Sequence, residues 1–554
     1  MRLYKNFCTE EFDENGALKG FELKFNDNYN FGYDVLDVLG ERTPDEMALV
    51  WRSTDGSEKF FTFRDLSRLS NKAANVFRQN GVKKGDRVLV ILKRNYEYWY
   101  VAPALHKLGA VMIPATHMLT EDDISYRLQA ADISFAVCMP DNKIPEKLLR
   151  AKRANPTLKT VFGVRQPDTD GIFDLTAAID SASEVLERQE TRAEEPMLMY
   201  FTSGTTGFPK AVMHDHTYTL AHIVTARYWQ CVKDGGLHLT VAETGWGKAS
   251  WGKIYGQWLC GSAVMVYDFD VFSPKELLHI IEHYGVTTFC APPTIYKYFV
   301  KFGMDKYDLS ALTHLTTAGE AINPQVTSAV LEQTGLKIYE GFGQTESVLM
   351  LANFEHDELS AGSMGRPSPL YDIRIQRPDG SFAGANEEGE IIVVPKDKQY
   401  GIFAGYYGNE ELYKSVWEGG VYHTGDIGYF DDNGCYFYVS RRDDVIKSRG
   451  FRIGPFEIEN KLMEHPAVLD CAVIGIPDKE RGQAVKAFVI LNEGYESVRT
   501  TANKIKADVN TLLADYKRIH DIELVSELPK TISGKIRRTE LRRGHEKLPQ
   551  PQIS

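Results

Sequence analysis

The chain of 554 residues has no stretch approaching the roughly 20 uninterrupted apolar residues of a spanning helix, which excludes a membrane-spanning protein as its reading. The opening MRLYKNFCTEEFDENG has neither an apolar core nor a small-residue cleavage site, so the expectation is a protein that is not secreted and works in the cytoplasm. Paired cysteine spacing is missing too. Cys8, Cys138, Cys231, Cys260, Cys290, Cys435 and Cys471 lie far apart, a pattern that predicts free, mostly buried thiols in a reducing compartment. Internal repeats and low-complexity tracts are absent. So is any excess of basic charge: the formal net charge is −12, which disfavours nonspecific nucleic-acid binding while leaving room for a locally basic pocket.

What remains is an ordinary globular composition, 43% hydrophobic and 25% charged, in a chain too long for one typical core; two or more domains are expected. Short β-branched runs, RVLVIL (87–92), VMIPA (111–115), FAVC (135–138), SAVMVY (262–267) and TTFCAP (287–292), alternate with helical patterns. One helix is expected from Leu66 to Asn80, with Leu66, Leu69, Ala73, Val76 and Phe77 on one face and Gly81 as its stop. This β-α-β rhythm predicts an α/β fold, a large N-terminal domain of mixed or parallel sheets flanked by helices. After about residue 360, short strands with Gly-rich turns predict an antiparallel, barrel-like portion. From 454 onward a helix, three strands and a helix over 498–518 predict a small α+β domain. The boundaries drawn are 1–440 for the first domain, 441–443 for a hinge in the charged SRRDD segment, and 444–554 for a mobile second domain.

The strongest local signal is YFTSGTTGFPK, Tyr200 to Lys210, which follows the apolar run PMLMYF. Thr202, Ser203, Thr205 and Thr206 supply hydroxyl donors, Gly204 and Gly207 let backbone N–H groups approach an anion closely, and Lys210 adds charge, which together make a polyphosphate cradle. It is not the G-x-x-x-x-G-K-[ST] loop: Phe208 and Pro209 separate Gly207 from Lys210, and Ala211 follows the lysine. The string resembles the signature loop of the adenylate-forming superfamily, which includes acyl-CoA synthetases, luciferases and peptide-synthetase adenylation domains. The likeness extends over nearly the whole chain, with further motifs in the expected order.

The resemblance implies the following roles. Gly319-Glu320 and the segment Glu340, Gly341, Phe342, Gly343, Gln344, Thr345, Glu346 resemble the adenine and magnesium segments: Phe342 would stack on adenine, Thr345 would contact the α-phosphate and Glu346 would hold Mg²⁺. Asp426 resembles the aspartate that accepts from the ribose hydroxyls, and Arg441 its partner. Asp443 matches the hinge position, Gly450 would line the pantetheine tunnel of coenzyme A, and Arg452 would lie near phosphate groups. Lys535, in PKTISGKIRR, resembles the catalytic lysine. His423, one His beside a strand end, is given no catalytic role.

The implied activity is that of an acid–thiol ligase, which joins a carboxylic acid to ATP as an acyl-adenylate and passes the acyl group to coenzyme A, with rotation of the C-terminal domain between the two half-reactions. Acetate-using relatives place a bulky Trp before Gln-Thr-Glu. Here Gly343 leaves that position without a side chain, so the pocket is expected to admit several more carbons at about 0.8 kcal/mol per buried methylene. The segment AETGWGKASWGKIYGQW (242–258) resembles the acyl-pocket region of medium-chain acyl-CoA synthetases, with Trp246 as wall or gate. A medium-chain, branched or small aromatic acid is the expected substrate. An adenylating enzyme with a carrier-protein acceptor, or a nucleotide-binding regulator without turnover, are the alternatives, and self-association into a homo-oligomer is left open.

Overall fold

The computed structural model describes residues 2–167, 171–202, 208–320, 322–358, 360–449, 451–530, 535–543 and 545. The chain forms two compact units, Met1–Asp372 with Pro395–Gly420, and Ile373–Val394 with Val421–Ser554.

The strands that carry the first unit's functional residues are β1 (Arg87–Ile91), β2 (Val111–Pro114), β3 (Pro196–Thr202), β4 (Lys210–Asp215), β5 (Leu237–Thr240), β6 (Ala263–Asp268), β7 (Thr288–Cys290), β8 (His314–Ala318) and β9 (Ile338–Phe342). Among the described residues one sheet runs Gly405–Tyr406, β4, β3, β2, β1, Phe135–Cys138, Thr160–Gly163, Ile172–Asp174. A second runs Ser363–Pro367, Leu351–Ala352, β9, β8, β7, β5, β6, Met47–Ser53, Glu58–Thr62. The parallel ladders β1·β2, β5·β6, β5·β7, β7·β8 and β8·β9 follow from the β-α-β rhythm of the sequence. Their apolar runs are buried on both faces, as β6 is at every position.

The helix expected over 66–80 spans Phe63–Gln79. It starts earlier because Thr62 and Asp65 close a reciprocal capping box, with the Thr62 side chain accepting from Asp65 N–H and the Asp65 carboxylate accepting from Thr62 N–H. Leu66, Ala73, Val76 and Phe77 are buried, and Gly81 ends the element at φ +88°.

In the second unit Gly389–Val394, Tyr422–Phe430 and Tyr436–Arg441 form an antiparallel ladder, the portion expected after residue 360. The line drawn at 441–443 therefore falls inside this unit, because the strand ending at Arg441 is laddered to Tyr422–Phe430. Beyond it, Val468–Asp478 and Gly482–Leu491 pair along ten positions, with Asp521–Leu524 parallel to the latter, over a core that includes Ile458, Leu462, Val473, Val489 and Ile505. The helix expected over 498–518 is Arg499–Asn510. Asn510 ends it by turning its amide onto Ile519, donating to the carbonyl at 3.0 Å and accepting from the N–H at 2.7 Å.

Candidate active site

In the first sheet the chain passes from β1 to β2 on one side and then to Phe135–Cys138 on the other; in the second it passes from β5 to β6 and then to β7. Such reversals open crevices at the carboxyl ends of parallel strands, the usual place for a ligand in open α/β sheets. Here the two crevices are bonded to each other. Thr244, just past β5, donates its N–H and hydroxyl to the Lys93 carbonyl beyond β1, at 2.9 and 2.6 Å. Glu243 accepts from the Thr116 hydroxyl and the His117 N–H past β2. Asp268, the last residue of β6, meets the Lys93 ammonium at 2.9 Å and the Asn95 amide at 3.1 Å.

The segment after Thr244 runs across this junction. Gly245 is required there: a Cβ would collide with the backbone of Ala115 and Thr116. Trp246 is half-buried, and the next residue, Gly247, lies near Tyr200 and Thr345. Lys248 donates to the Ala318 carbonyl at the end of β8 (2.6 Å), immediately before Gly319, which adopts φ +100° and is exposed together with Glu320. The same short helix, Lys248–Gly252, presents Trp251 to Gly343: a Cβ on Gly343 would stand 2.5 Å from the indole. The space expected beside Gly343 is thus filled by Trp251. Two residues earlier in the chain Gly341 receives Trp229 in the same way, at 2.7 Å, and the two indoles meet edge to face with centroids 6.1 Å apart. Alternation along the strand puts Glu340 and Phe342 on the opposite face of β9 from these glycines. Glu340 is buried, and burial pushes its carboxyl up to about 8 against the opposing effect of the Ile322 N–H.

Beyond Gly343, Gln344 to Ser347 form a turn closed by Ser347 N–H to the Gln344 carbonyl and Gln344 N–H to the Ser347 hydroxyl. Thr345 and Glu346 at its apex are half-buried. The Thr345 carbonyl accepts from His214 Nε2 at 2.8 Å, so that nitrogen carries the proton; burial holds this imidazole at about 4 and therefore neutral. The Glu346 carbonyl accepts from Phe403 N–H (2.7 Å), and its Oε1 accepts from the Tyr406 hydroxyl (2.9 Å). Lys210 begins β4 opposite Thr202, the last residue of β3, and its ammonium sits 5.2 Å from the Tyr406 ring centre. Among the described residues no group of three or more His, Cys, Asp or Glu converges as a metal cage. Glu346 offers one oriented carboxylate, a hard oxygen donor of the kind that would suit Mg²⁺.

In the second unit Asp426 and Arg441 are cross-strand neighbours joined at 3.1 Å, with Asp426 buried. Burial alone would lower the Arg441 guanidinium, but Asp426 and Asp443 outweigh it and raise it above its ordinary value. Gly425, at φ +72°, leaves room for the guanidinium to lie against the backbone. His423 is engaged by Glu390 (3.1 Å). Asp443 and Arg452 are exposed, the latter paired across a two-strand ladder with Lys447. Lys535 is exposed beside the bridge Lys530↔Ile536. Arg538, three residues on, is held bidentately by Glu459 and also by Asp444.

Ser203, Gly204, Thr205, Thr206, Gly207 and Gly450 lie outside the described residues. Of the other expected residues, Lys210, Gly319, Phe342, Gly343, Thr345, Glu346 and Trp246 belong to the first unit, where Tyr406 links Lys210 to Glu346 and Gly247 lies beside Thr345, and the second carries Asp426, Arg441, Asp443, Arg452 and Lys535. The sequence reading missed His214, Tyr406, Trp229, Trp251 and Lys248. Only the W-G-K spacing repeated at 246–248 and 251–253 could have flagged Trp251 and Lys248 together.

Comparison with known proteins places the chain in a family. The AMP-binding enzyme family matches residues 36–407, and the AMP-binding enzyme C-terminal domain matches 457–535. The human mitochondrial acyl-coenzyme A synthetase ACSM3 is 37% identical over 534 residues, covering 94% of this chain and 91% of the relative, and human ACSM4, also mitochondrial, is 38% identical over 526 residues, covering 93% and 90%. The crystal structure of the anthranilate CoA ligase AuaEII in complex with anthranoyl-AMP superposes with a TM-score of 0.85 at 27% identity, over 94% of this chain and 98% of that one. The acyl-CoA synthetase of Brucella canis superposes at 0.72 with 28% identity, over 94% and 95%. The chain belongs to the AMP-binding enzyme family. Among the described residues no helix is long and apolar enough to cross a membrane.

Proposed function

We propose that this protein is an AMP-forming acyl-CoA synthetase that activates a medium-chain, branched or small aromatic carboxylic acid and transfers it to coenzyme A. The observation that carries the reading is the joining of Lys210, where the phosphate loop ends, to the Thr345–Glu346 turn through Tyr406, whose ring lies 5.2 Å from the ammonium and whose hydroxyl donates to Glu346 at 2.9 Å. The names of the curated relatives and the acyl-adenylate in the AuaEII structure support it.

A carboxylate is a poor acyl donor because its leaving group would be oxide. In the first half-reaction one oxygen of the acid forms a bond to the α-phosphorus of ATP while the bond to the β-phosphate oxygen breaks and pyrophosphate departs. Phe342 offers an aromatic face to adenine, Thr345 a donor to the α-phosphate, Lys210 a cation to the β and γ groups, and Asp426 with Arg441 a ribose site. Glu346 is the residue that would hold Mg²⁺, whose chemistry is to screen phosphate charge during the displacement. Lys535 is the mobile cation directed at the acid and α-phosphate. In the second half-reaction the thiol of coenzyme A attacks the acyl carbon and AMP leaves. Lys535 withdraws by rotation about Asp443, an exposed residue of the turn between Arg441 and Asp444. For location we keep the cytoplasm, a reducing compartment that suits seven buried thiols; fractionation of the source cell checks it, and sole recovery with organelles would refute it.

Pyrophosphate release screened over acids from acetate to decanoate and benzoates, with and without coenzyme A, tests the activity. AMP release that ignores coenzyme A would sink the ligase reading. In the separated half-reactions, Lys535→Ala should lower adenylation by orders of magnitude and spare thioester formation from acyl-AMP, whereas Asp443→Pro should do the reverse. Equal loss of both steps in both variants would refute the alternating mechanism.

A further inference from the structure

We propose that Tyr406 is a positioning residue for metal–nucleotide binding, fixing the Glu346 carboxylate through its hydroxyl and the Lys210 ammonium through its ring. The inference rests on the reading of Glu346 as the magnesium carboxylate and goes further by naming what aims it.

Tyr406 is only 5% exposed and stands at the end of a strap that is bonded to both partners. The strand Gly405–Tyr406 pairs antiparallel with β4 through Met213 and Val212. Flanking bonds from Ala404 N–H to Met213 O (2.8 Å) and Tyr407 N–H to Ala211 O (2.9 Å) extend that ladder. Three residues before the tyrosine, Phe403 N–H grips the Glu346 carbonyl, so the strap joins the strand that begins with Lys210 to the turn that bears Glu346. The Tyr406 ring is set by Phe403, centroids 4.8 Å apart, and from that fixed ring the hydroxyl reaches Glu346 Oε1.

The chemistry follows from geometry. A glutamate has three side-chain torsions, and in a half-exposed position each one it keeps free dilutes the population able to bind a cation. A phenol donating to one carboxylate oxygen removes that freedom and orients the other oxygen. The same ring turns its electron-rich face to the Lys210 ammonium, which holds the lysine near the carboxylate without an ion pair that would neutralise both groups. Anionic phosphates and a divalent cation are thus offered complementary charges at a spacing set by one side chain.

The test uses full-length protein and isothermal titration with ATP in the absence of acid, once with excess Mg²⁺ and once with EDTA. Tyr406→Phe keeps the ring and deletes the hydroxyl. Its affinity for ATP with Mg²⁺ should fall about ten-fold, the worth of a hydrogen bond to a charged group, while its affinity in EDTA stays at the wild-type value. In turnover the concentration of Mg²⁺ giving half-maximal rate should rise, with kcat recovered at high Mg²⁺. Tyr406→Leu also removes the face under Lys210 and should weaken ATP binding in EDTA as well. Wild-type Mg²⁺-dependent affinity in Tyr406→Phe, or equal loss with and without Mg²⁺, would overturn the proposal. Glu346→Gln run in parallel separates the two assignments. If it abolishes the Mg²⁺-dependent gain while Tyr406→Phe leaves it whole, the tyrosine role alone fails; if it leaves the gain whole, the magnesium assignment fails and takes the tyrosine role with it.

Discussion

Glu340 shares a face of β9 with Phe342 and is held as a neutral acid at pH 7, because burial disfavours its anion. Its folded pKa of about 8 lies above the ordinary 4.5, so between those values the folded chain holds a proton that the unfolded chain has released. The stability this gives is present in full below about pH 4.5 and is lost as pH rises through 8. Glu340→Gln should therefore flatten the decline, measured as urea-unfolding free energy from pH 5 to 9; a decline as steep as wild type would count against a buried neutral Glu340. Lys210, Thr345, Glu346, Asp426 and Lys535 stood out in the sequence because each sits in a short motif that resembles one of the family's. Tyr406 and His214 were not, since they act across 60 and 131 residues of chain and each looks alone like an ordinary packed aromatic.

At the scale of elements, β9 and the helix Lys248–Gly252 form a matched pair. Gly341 and Gly343 supply recesses on one side of the strand, and Trp229 and Trp251 fill them. The absence of a side chain at 343 was readable, but the occupant of the space was not, because it comes from a helix some 90 residues earlier whose direction depends on Gly245 fitting against Ala115. On the proposed function, Trp251 is the residue to test as the limit on acyl-chain length. Trp251→Ala should cost about 3–5 kcal/mol in chemical denaturation and move the preferred acid toward longer chains in the pyrophosphate assay. An unchanged chain-length profile would remove Trp251 from the pocket wall. The capping box at Thr62 and Asp65 shows the converse case, a boundary fully written in local sequence that periodicity alone placed three residues late.

Across the whole molecule, the buried histidines are concentrated in the first unit. His106, His214, His216, His222, His238 and His314 are all depressed, first of all by burial, with His214, His216 and His314 at about 4 and His238 at about 3. Below pH 6.5 the unfolded chain takes up protons that the folded one refuses, so stability falls with pH down to those values, by about 1.4 kcal/mol per pH unit for each histidine involved. Hydrogen exchange on the intact protein between pH 7 and 5, corrected for intrinsic rate, should show protection lost earlier in the first unit than in the second; uniform loss would refute the assignment. The α/β alternation and the late antiparallel portion were evident from hydropathy, whereas the interleaving of the two units was not, because contacts between distant strands leave no periodic trace.

That interleaving has a consequence for how the molecule comes into being. The chain leaves the first unit at 373, lays down Ile373–Val394 in the second, and returns to the first only with Pro395–Gly420, which brings Phe403 and Tyr406 to Glu346. On the ribosome, an emerging polypeptide must therefore begin its second body before it can complete its first, and the carboxylate of Glu346 gains the support of Tyr406 only after Ile373–Val394 has been made.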